Sequence, residues 1–132
     1  MLFINSEDST SVSKSIQDTL KQVMQQVEYR CFADAHSKRI DPLYKELCLV
    51  AAEVFLMNPD TVIKVNASPI SMRLVQDVYT HLRCDHLRFV LNNFQNLTYH
   101  VYNKKAYLRT ALYNAVFELE SHYAIEEYCP TD

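Results

Sequence analysis

The sequence predicts an all-α fold, a compact bundle of five to six helices with one short extended segment near residues 61–65. Two observations support this prediction. Apolar residues recur at steps of three and four along several segments, which is the spacing of one helical face. The chain also contains no glycine, although an average chain of this length holds about nine. Because tight β-hairpin turns rely on glycine, helices joined by short loops are favoured over a β-fold.

The N-terminal part predicts a leader followed by a helix. Residues 1–9 form the loose leader, and the helix extends from about Ser11 to Tyr29. Its apolar stripe consists of Val12, Ile16, Leu20, Val23 and Val27. A short helical turn is expected from Cys31 to His36.

The second helix has clear start and stop signals. Asp41 is placed as its N-cap and Pro42 as its first residue. Asn58, followed by a proline, is expected to end the helix in a left-handed conformation. The apolar stripe of this helix consists of Leu43, Leu47, Val50, Ala51 and Val54.

The segment after this helix is predicted to be extended and then helical. Residues 61–65 are β-branched and alternate weakly, but they are too short and solitary to define a sheet. Ser68 and Pro69 repeat the pattern of a cap followed by proline, so a third helix is expected from there to Arg83. Its apolar stripe consists of Met72, Val75, Val78, Tyr79 and Leu82.

The clearest prediction is an antiparallel helical hairpin within residues 85–115. Asp85 is placed as N-cap of its first helix, whose stripe is Leu87, Val90, Leu91, Phe94 and Leu97. After a break of about six residues, the second helix is entered at Asn103. Its stripe is Tyr107, Leu108, Ala111, Leu112 and Ala115. Residues 118–128 are expected to continue or restart this helix.

The hairpin also carries a family resemblance, in the runs DHLRFVL at residues 85–91 and NKKAYLRTALYNA at residues 103–115. They resemble the C-terminal helical domain of RepA-type replication initiators of Gram-positive plasmids and conjugative elements, which is often likened to DnaD-like replisome proteins. The resemblance extends over about residues 17–115 and implies a helical fold without catalytic residues. The initiators' DNA-binding region is missing. That family usually has glycines where Asn66 and Ala67 stand, and proline at Ser71.

Length and composition predict one helical domain, residues 1–132, of globular type. The chain is 48% hydrophobic and 22% charged, and it lacks an apolar run long enough for a membrane span. The N-terminus has no basic region before an apolar one, so it does not resemble a signal peptide. The four cysteines are therefore interpreted as reduced, buried thiols of a cytoplasmic protein.

Charge is distributed unevenly along the chain. Residues 61–109 hold seven Lys or Arg against two Asp or Glu, whereas residues 110–132 hold five acids and no Lys or Arg. A basic helical face is predicted to bind nucleic acid or a partner through Arg73, Arg83, Lys104, Lys105 and Arg109. His100 and Tyr102 lie on the connection beside it, so contacts to phosphates and stacking on bases are one interpretation. The alternative is an ordinary solvated helix face. The acidic end is predicted to bind a partner through Glu118, Glu120, Glu126 and Glu127.

Enzymatic chemistry is not expected. Phosphate-binding loops and nucleophile elbows need glycine, so no cofactor is predicted. Cys31 and His36 do not share a helical face, and no catalytic dyad is evident. His81, Cys84 and His86 form the densest set of metal-capable side chains, but their spacing matches no standard zinc framework. A structural thiol with surface histidines is the favoured interpretation.

Two functional hypotheses follow. The first is a non-enzymatic accessory or adaptor protein of a mobile genetic element that docks onto a replication or DNA-processing complex. The second is a small anti-defence inhibitor that binds a host nuclease or nucleoprotein complex and blocks its nucleic-acid channel. Both expect a protein partner, allow DNA to be bound, and involve no membrane.

Overall fold

The computed structural model describes residues 15–128, with side chains through residue 120. The predicted leader, residues 1–9, lies outside the described residues, as does the start of the first helix. The elements are α1 (residues 15–26), a 3₁₀ turn (Tyr29–Phe32), α2 (Pro42–Leu56), β1 (Val62–Val65), β2 (Ser68–Ser71), α3 (Met72–Tyr79), α4 (Cys84–Gln95) and α5 (Lys104–Tyr128). The chain is therefore mostly helical, as predicted, but it is not purely all-α.

The element missing from the prediction is a β-hairpin. β1 pairs antiparallel with β2, and Val65 lies opposite Ser68. Only Asn66 and Ala67 connect the strands, with φ angles of 54° and 63°. A two-residue hairpin turn of this kind needs positive φ at both positions. The expectation that residues 61–65 were too solitary to form a sheet is therefore wrong, because the partner strand follows directly.

The helix start predicted at Ser68 and Pro69 is also wrong. Both residues belong to β2, and α3 begins at Met72 after Ser71 as N-cap. In the register set by the turn, Pro69 lies opposite Lys64. This is a pair without ladder hydrogen bonds, so the missing N–H of the proline removes none. A proline after serine is therefore compatible with either element here.

The ends of α2 agree only in part with the prediction. Asp41 caps the helix as expected, because its carboxylate accepts a hydrogen bond of 2.9 Å from the Leu43 N–H. The left-handed conformation predicted for Asn58 is wrong, since Asn58 is not among the described residues with positive φ. The helix ends instead at Leu56, and the next residue, the C-cap Met57, has an extended backbone. The Asn58 side chain accepts the Asp60 N–H at 2.9 Å and forms a local turn.

At the start of α4 the predicted cap is off by two residues. Arg83, not Asp85, is the N-cap residue, and its N–H donates a hydrogen bond of 2.9 Å to Nδ1 of His86. Asp85 lies within the first turn, where the positive end of the helix dipole stabilises a carboxylate. At the start of α5, the prediction is confirmed: the Asn103 side chain accepts the Ala106 N–H at 3.1 Å.

α4 and α5 form the predicted antiparallel hairpin. Phe94, near the end of α4, contacts Tyr107 near the start of α5, with ring centroids 5.8 Å apart. His86, in the first turn of α4, interacts electrostatically with Glu120 far along α5. α5 then continues without a break to Tyr128. None of the helices in the described part of the chain combines the length and apolar character that a membrane span requires.

The buried side chains form a core around α5, which contacts α2, α3, α4 and β1. From α5, the fully buried residues are Leu108, Leu112, Ala115 and Val116. The predicted stripes of α2 and α3 are buried as expected. Tyr79 is completely buried among them, and its hydroxyl donates a hydrogen bond of 2.7 Å to the Arg109 carbonyl.

Two glutamine side chains donate hydrogen bonds to backbone carbonyls at the ends of neighbouring helices. Gln26 of α1 donates to the carbonyls of Tyr79 at 3.0 Å and Leu82 at 2.9 Å, where α3 ends. Gln76 of α3 donates to the carbonyls of Val54 at 2.9 Å and Met57 at 2.8 Å, where α2 ends. The carbonyls of Tyr79 and Val54 also accept backbone N–H groups, from Leu82 at 3.1 Å and from Met57 at 3.2 Å. The two amides therefore add hydrogen bonds at the ends of α3 and α2 and connect α1, α2 and α3.

Candidate interaction surface at the α4–α5 corner

The metal-capable set at the α3–α4 junction is not assembled into a site. His81 is exposed, while the His86 ring accepts the Arg83 N–H in the helix cap. The Cys84 Sγ lies 3.5 Å from the Asp85 carboxylate. Among the residues that the structure describes, no three His, Cys, Asp or Glu side chains are grouped to hold a metal ion.

The described cysteines are free thiols in three different environments. Cys48 is buried, and desolvation raises its pKa to about 12. Cys84 is half-buried, and Cys31 is exposed with its Sγ 3.5 Å from the Glu28 carboxylate. The prediction that the thiols are buried is therefore wrong for Cys31 and correct for Cys48. Cys129 lies outside the described residues.

Two of the three arginines of the predicted basic face, Arg73 and Arg83, make local contacts. Arg73 forms an ion pair of 2.8 Å with Asp60, and both side chains are mostly exposed. The Arg83 guanidinium donates to the carbonyls of Thr80 at 3.1 Å and Leu82 at 2.7 Å. Arg83 thus supports the end of α3 rather than facing an open groove.

The cations on α5 are also engaged within the chain. Lys104 pairs with Glu46 at 2.8 Å, and Lys105 pairs with Glu53 at 3.0 Å, both across to α2. Arg109 is half-buried and acts electrostatically on the buried Tyr79 hydroxyl, whose pKa is raised mainly by desolvation. The five predicted cations are therefore distributed over several local settings instead of forming one continuous groove of free charges.

The described part of the acidic end is open to solvent. Glu118 and Glu120 are exposed, and neither forms an ion pair with another described residue. Phe117 beside them is 48% exposed and contacts Tyr113, with ring centroids 5.1 Å apart. Glu126 and Glu127 lie on the last turns of α5, beyond the described side chains.

The most exposed aromatic side chains of the described chain lie where α4 turns into α5. Tyr102 is 95% exposed and Tyr99 is 63% exposed. The His100 and Tyr102 rings are 5.1 Å apart and nearly perpendicular. Together with Phe94 and Tyr107, these three residues are called the aromatic corner below. Large exposed aromatics in one place are typical of a binding surface.

Two of the aromatic side chains of the corner, Phe94 and Tyr107, connect the end of α4 to the start of α5. The Phe94 and Tyr107 rings pack against each other, and the Lys104 Nζ lies 5.6 Å from the centre of the Phe94 ring. The Tyr107 pKa is raised by desolvation and, to a smaller extent, by Tyr99. The half-buried Phe94 and Tyr107 therefore lie beside Lys104, at the two helix ends that the segment with the exposed tyrosines connects.

Comparison with protein families finds one match that covers nearly the whole chain. Residues 5–127 match the Family of unknown function (DUF6017). The chain belongs to this family. Comparison with curated proteins and with solved structures finds no match for this DUF6017 member.

The sequence of this DUF6017 member identifies Lys104 and Lys105 as candidate cations, but it does not identify their ion-pair partners. Glu46 and Glu53 are seven residues apart, so two helical turns place them on the same face of α2. This spacing matches a neighbouring pair of cations, but nothing in the sequence says that α2 lies beside the start of α5. The sequence does not identify Tyr99 as a site residue, because the exposure of a tyrosine cannot be read from periodicity.

Proposed function

We propose that this chain is a non-enzymatic accessory or adaptor protein of a mobile genetic element. It docks onto a replication or DNA-processing complex in the cytoplasm. The observation that carries this proposal is the aromatic corner, where Tyr99 and Tyr102 are exposed beside Lys104 and Lys105. The described residues offer this ready binding surface and no assembled metal site.

Exposed tyrosines are effective anchors for a partner. A tyrosine ring buries a large apolar area with few rotatable bonds, and its hydroxyl adds a hydrogen bond. Tyr102 exposes nearly all of its surface before binding, so contact with a partner removes a large apolar area from water. Phe94 and Tyr107 already pack against each other, so these two side chains lose little further freedom on docking.

The replication context of the proposal comes from the resemblance to RepA-type initiators. The runs that carry this resemblance lie on α4 and α5, the two helices that flank the aromatic corner. An accessory protein that shares this part of an initiator is expected to contact the same kind of complex. The resemblance supports an adaptor role and no catalytic one.

The test is affinity capture from cells that carry the element. Wild-type protein is expected to retain helicase-loader or primase-type proteins, and the Tyr99→Ala/Tyr102→Ala variant is expected to lose them. Val62→Ala/Leu74→Ala is the control, because it removes exposed apolar side chains elsewhere on the surface. Equal capture by all three proteins, or recovery of ribosomal background alone, would contradict the proposal.

The anti-defence inhibitor is the second candidate, favoured by the exposed carboxylates of Glu118 and Glu120. Carboxylates without a cation can occupy the phosphate positions of a nucleic-acid channel in a host nuclease. Replacing Glu118, Glu120, Glu126 and Glu127 by Gln is expected to abolish inhibition and binding of such a nuclease. Unchanged affinity of this variant would eliminate the phosphate-mimic role.

A further inference from the structure

We propose that the aromatic corner binds single-stranded nucleic acid, with bases on Tyr99 and Tyr102 and phosphates on Lys104 and Lys105. This inference rests on the proposed docking function and names a ligand for the same surface. The four residues lie within the seven-residue segment 99–105, at the end of the connection and the start of α5, so a few nucleotides can span them.

The tyrosines supply the stacking surface. Tyr99 and Tyr102 expose most of their area, and the His100 ring meets the Tyr102 ring edge to face at 5.1 Å. Every base has a π-face, so stacking on such rings tolerates any sequence. Bases in a duplex are already stacked on each other, and only a single strand presents faces that these side chains can cover.

The lysines supply the phosphate contacts by exchanging one anion for another. The pairs of Lys104 with Glu46 and of Lys105 with Glu53 are exposed on the surface. Exposed ion pairs contribute little stability, so a phosphate can displace either glutamate at small cost. Glu46 and Glu53 thereby hold the lysines in place and compete with the ligand.

The charge of the whole chain agrees with a weak, stacking-dominated mode. The formal net charge is −3, and two lysines serve the corner. Duplex binders neutralise many phosphates with a broad basic surface. A ligand held by two phosphates shows a shallow salt dependence, about −1.4 in the logarithmic slope for a single strand.

The experiment measures fluorescence anisotropy of a labelled oligodeoxythymidylate of about twelve nucleotides, a length within the range of single-strand sites. The full chain is titrated at low salt. Wild-type protein is expected to bind, and Tyr99→Ala/Tyr102→Ala is expected to weaken binding by at least about tenfold. The chain has no tryptophan, so quenching of tyrosine emission gives a second reading of stacking. Absence of binding by the wild type, or equal affinity of the variant, would overturn the inference.

A pair of charge variants separates the local effect from the general one. Glu46→Gln/Glu53→Gln frees both lysines and is expected to strengthen binding by about threefold. Asp18→Asn/Asp77→Asn makes the same change in net charge at exposed positions of α1 and α3, away from the corner, and is expected to leave affinity nearly unchanged. Equal strengthening by the two variants would show that overall charge, and not this corner, controls the interaction.

Failure of this inference is distinguishable from failure of the proposed function. If the oligonucleotide does not bind but capture of a replication protein still requires Tyr99 and Tyr102, the corner is a protein-docking surface and the nucleic-acid ligand is wrong. If the oligonucleotide binds and capture fails, the ligand is correct and the adaptor role is wrong. Circular dichroism of each variant confirms that the fold is intact before either comparison.

Discussion

Tyr79 combines complete burial with a satisfied hydroxyl group. Its O–H donates to the Arg109 carbonyl in the second turn of α5, while the ring contacts Phe55 edge to face with centroids 6.2 Å apart. The apolar spacing predicts that this residue belongs to the α3 stripe. The hydrogen bond was not predictable, because it joins residues 30 positions apart.

Tyr79→Phe removes this hydrogen bond and keeps the ring. We expect a loss of about 1 kcal/mol in the free energy of unfolding, since the Arg109 carbonyl lies within a helix and keeps its helical partner. Urea denaturation should show a lower midpoint with an unchanged slope. Tyr102→Phe is the matched control, because the Tyr102 hydroxyl is in solvent, and its midpoint should equal that of the wild type.

His86 connects stability to pH. Its pKa is lowered from 6.5, first by desolvation and then by the charge of Arg83, although the charges of Asp85 and Glu120 act in the opposite direction. Because the unfolded state binds the proton more readily, stability is complete above pH 6.5. It is lost as the pH falls through the lower folded pKa. Protonation of Nδ1 also breaks the cap on the Arg83 N–H.

We therefore expect the melting temperature of the wild type to fall on acidification below pH 6.5. His86→Gln keeps an acceptor at this helix position and does not titrate, so its melting curve should depend less on pH. His81→Gln is the control, since His81 is exposed and should leave the pH dependence of the wild type intact. An equal pH dependence in all three proteins would rule out His86 as the cause.

At the scale of elements, the helices follow from local signals and the β-hairpin does not. The caps at Asp41 and Asn103, together with the apolar stripes, predict where α2 and α5 begin. The β-hairpin has four-residue strands and a turn without glycine, so neither the strand length nor the turn residues predict it. Its turn is held instead by two hydrogen bonds, of 2.9 and 3.0 Å, between the side chains of Asn66 and Asn114 on α5.

The turn residue Ala67 has a positive φ of 63° that disfavours any residue with a Cβ. Ala67→Gly should stabilise the chain by about 0.5 to 1 kcal/mol, because relief of this strain exceeds the added entropy of the unfolded state. Ala111→Gly, the same change inside α5, should destabilise by about 1 kcal/mol. Urea denaturation with the same sign for both variants would contradict the strain argument.

At the scale of the molecule, α5 organises the core. Leu112 is fully buried and lies on the face of α5 that α2, α3 and α4 cover. Leu112→Ala should cost about 3 kcal/mol, because the surrounding helices cannot close the cavity. Leu74→Ala, at an exposed position, should cost less than about 0.5 kcal/mol. Chemical denaturation of both variants tests this difference, and equal losses would exclude α5 as the centre of the core.

The candidate surface could be predicted only in part, because some of its contacts join residues that are distant in sequence. Lys104 and Lys105 stand out as cations in a tyrosine-rich hairpin, so a charged and aromatic region follows from residues close in sequence. Their partners Glu46 and Glu53 lie about fifty residues away. Only the packing of α2 against α5 reveals that these charges are balanced, and packing is a property of the whole fold.

Gln26 and Gln76, which donate hydrogen bonds to carbonyls at the ends of α3 and α2, restrict which substitutions the chain can accept. Glutamate has nearly the same shape as glutamine, and the two often interchange on surfaces. At Gln26 and Gln76, however, a carboxylate would direct negative charge at backbone oxygens that now receive hydrogen bonds. A deep mutational scan should therefore find Glu depleted at both positions, while the exposed Gln22 on the same helix as Gln26 accepts it. Spontaneous loss of ammonia from either amide would make the same change and loosen the protein with age.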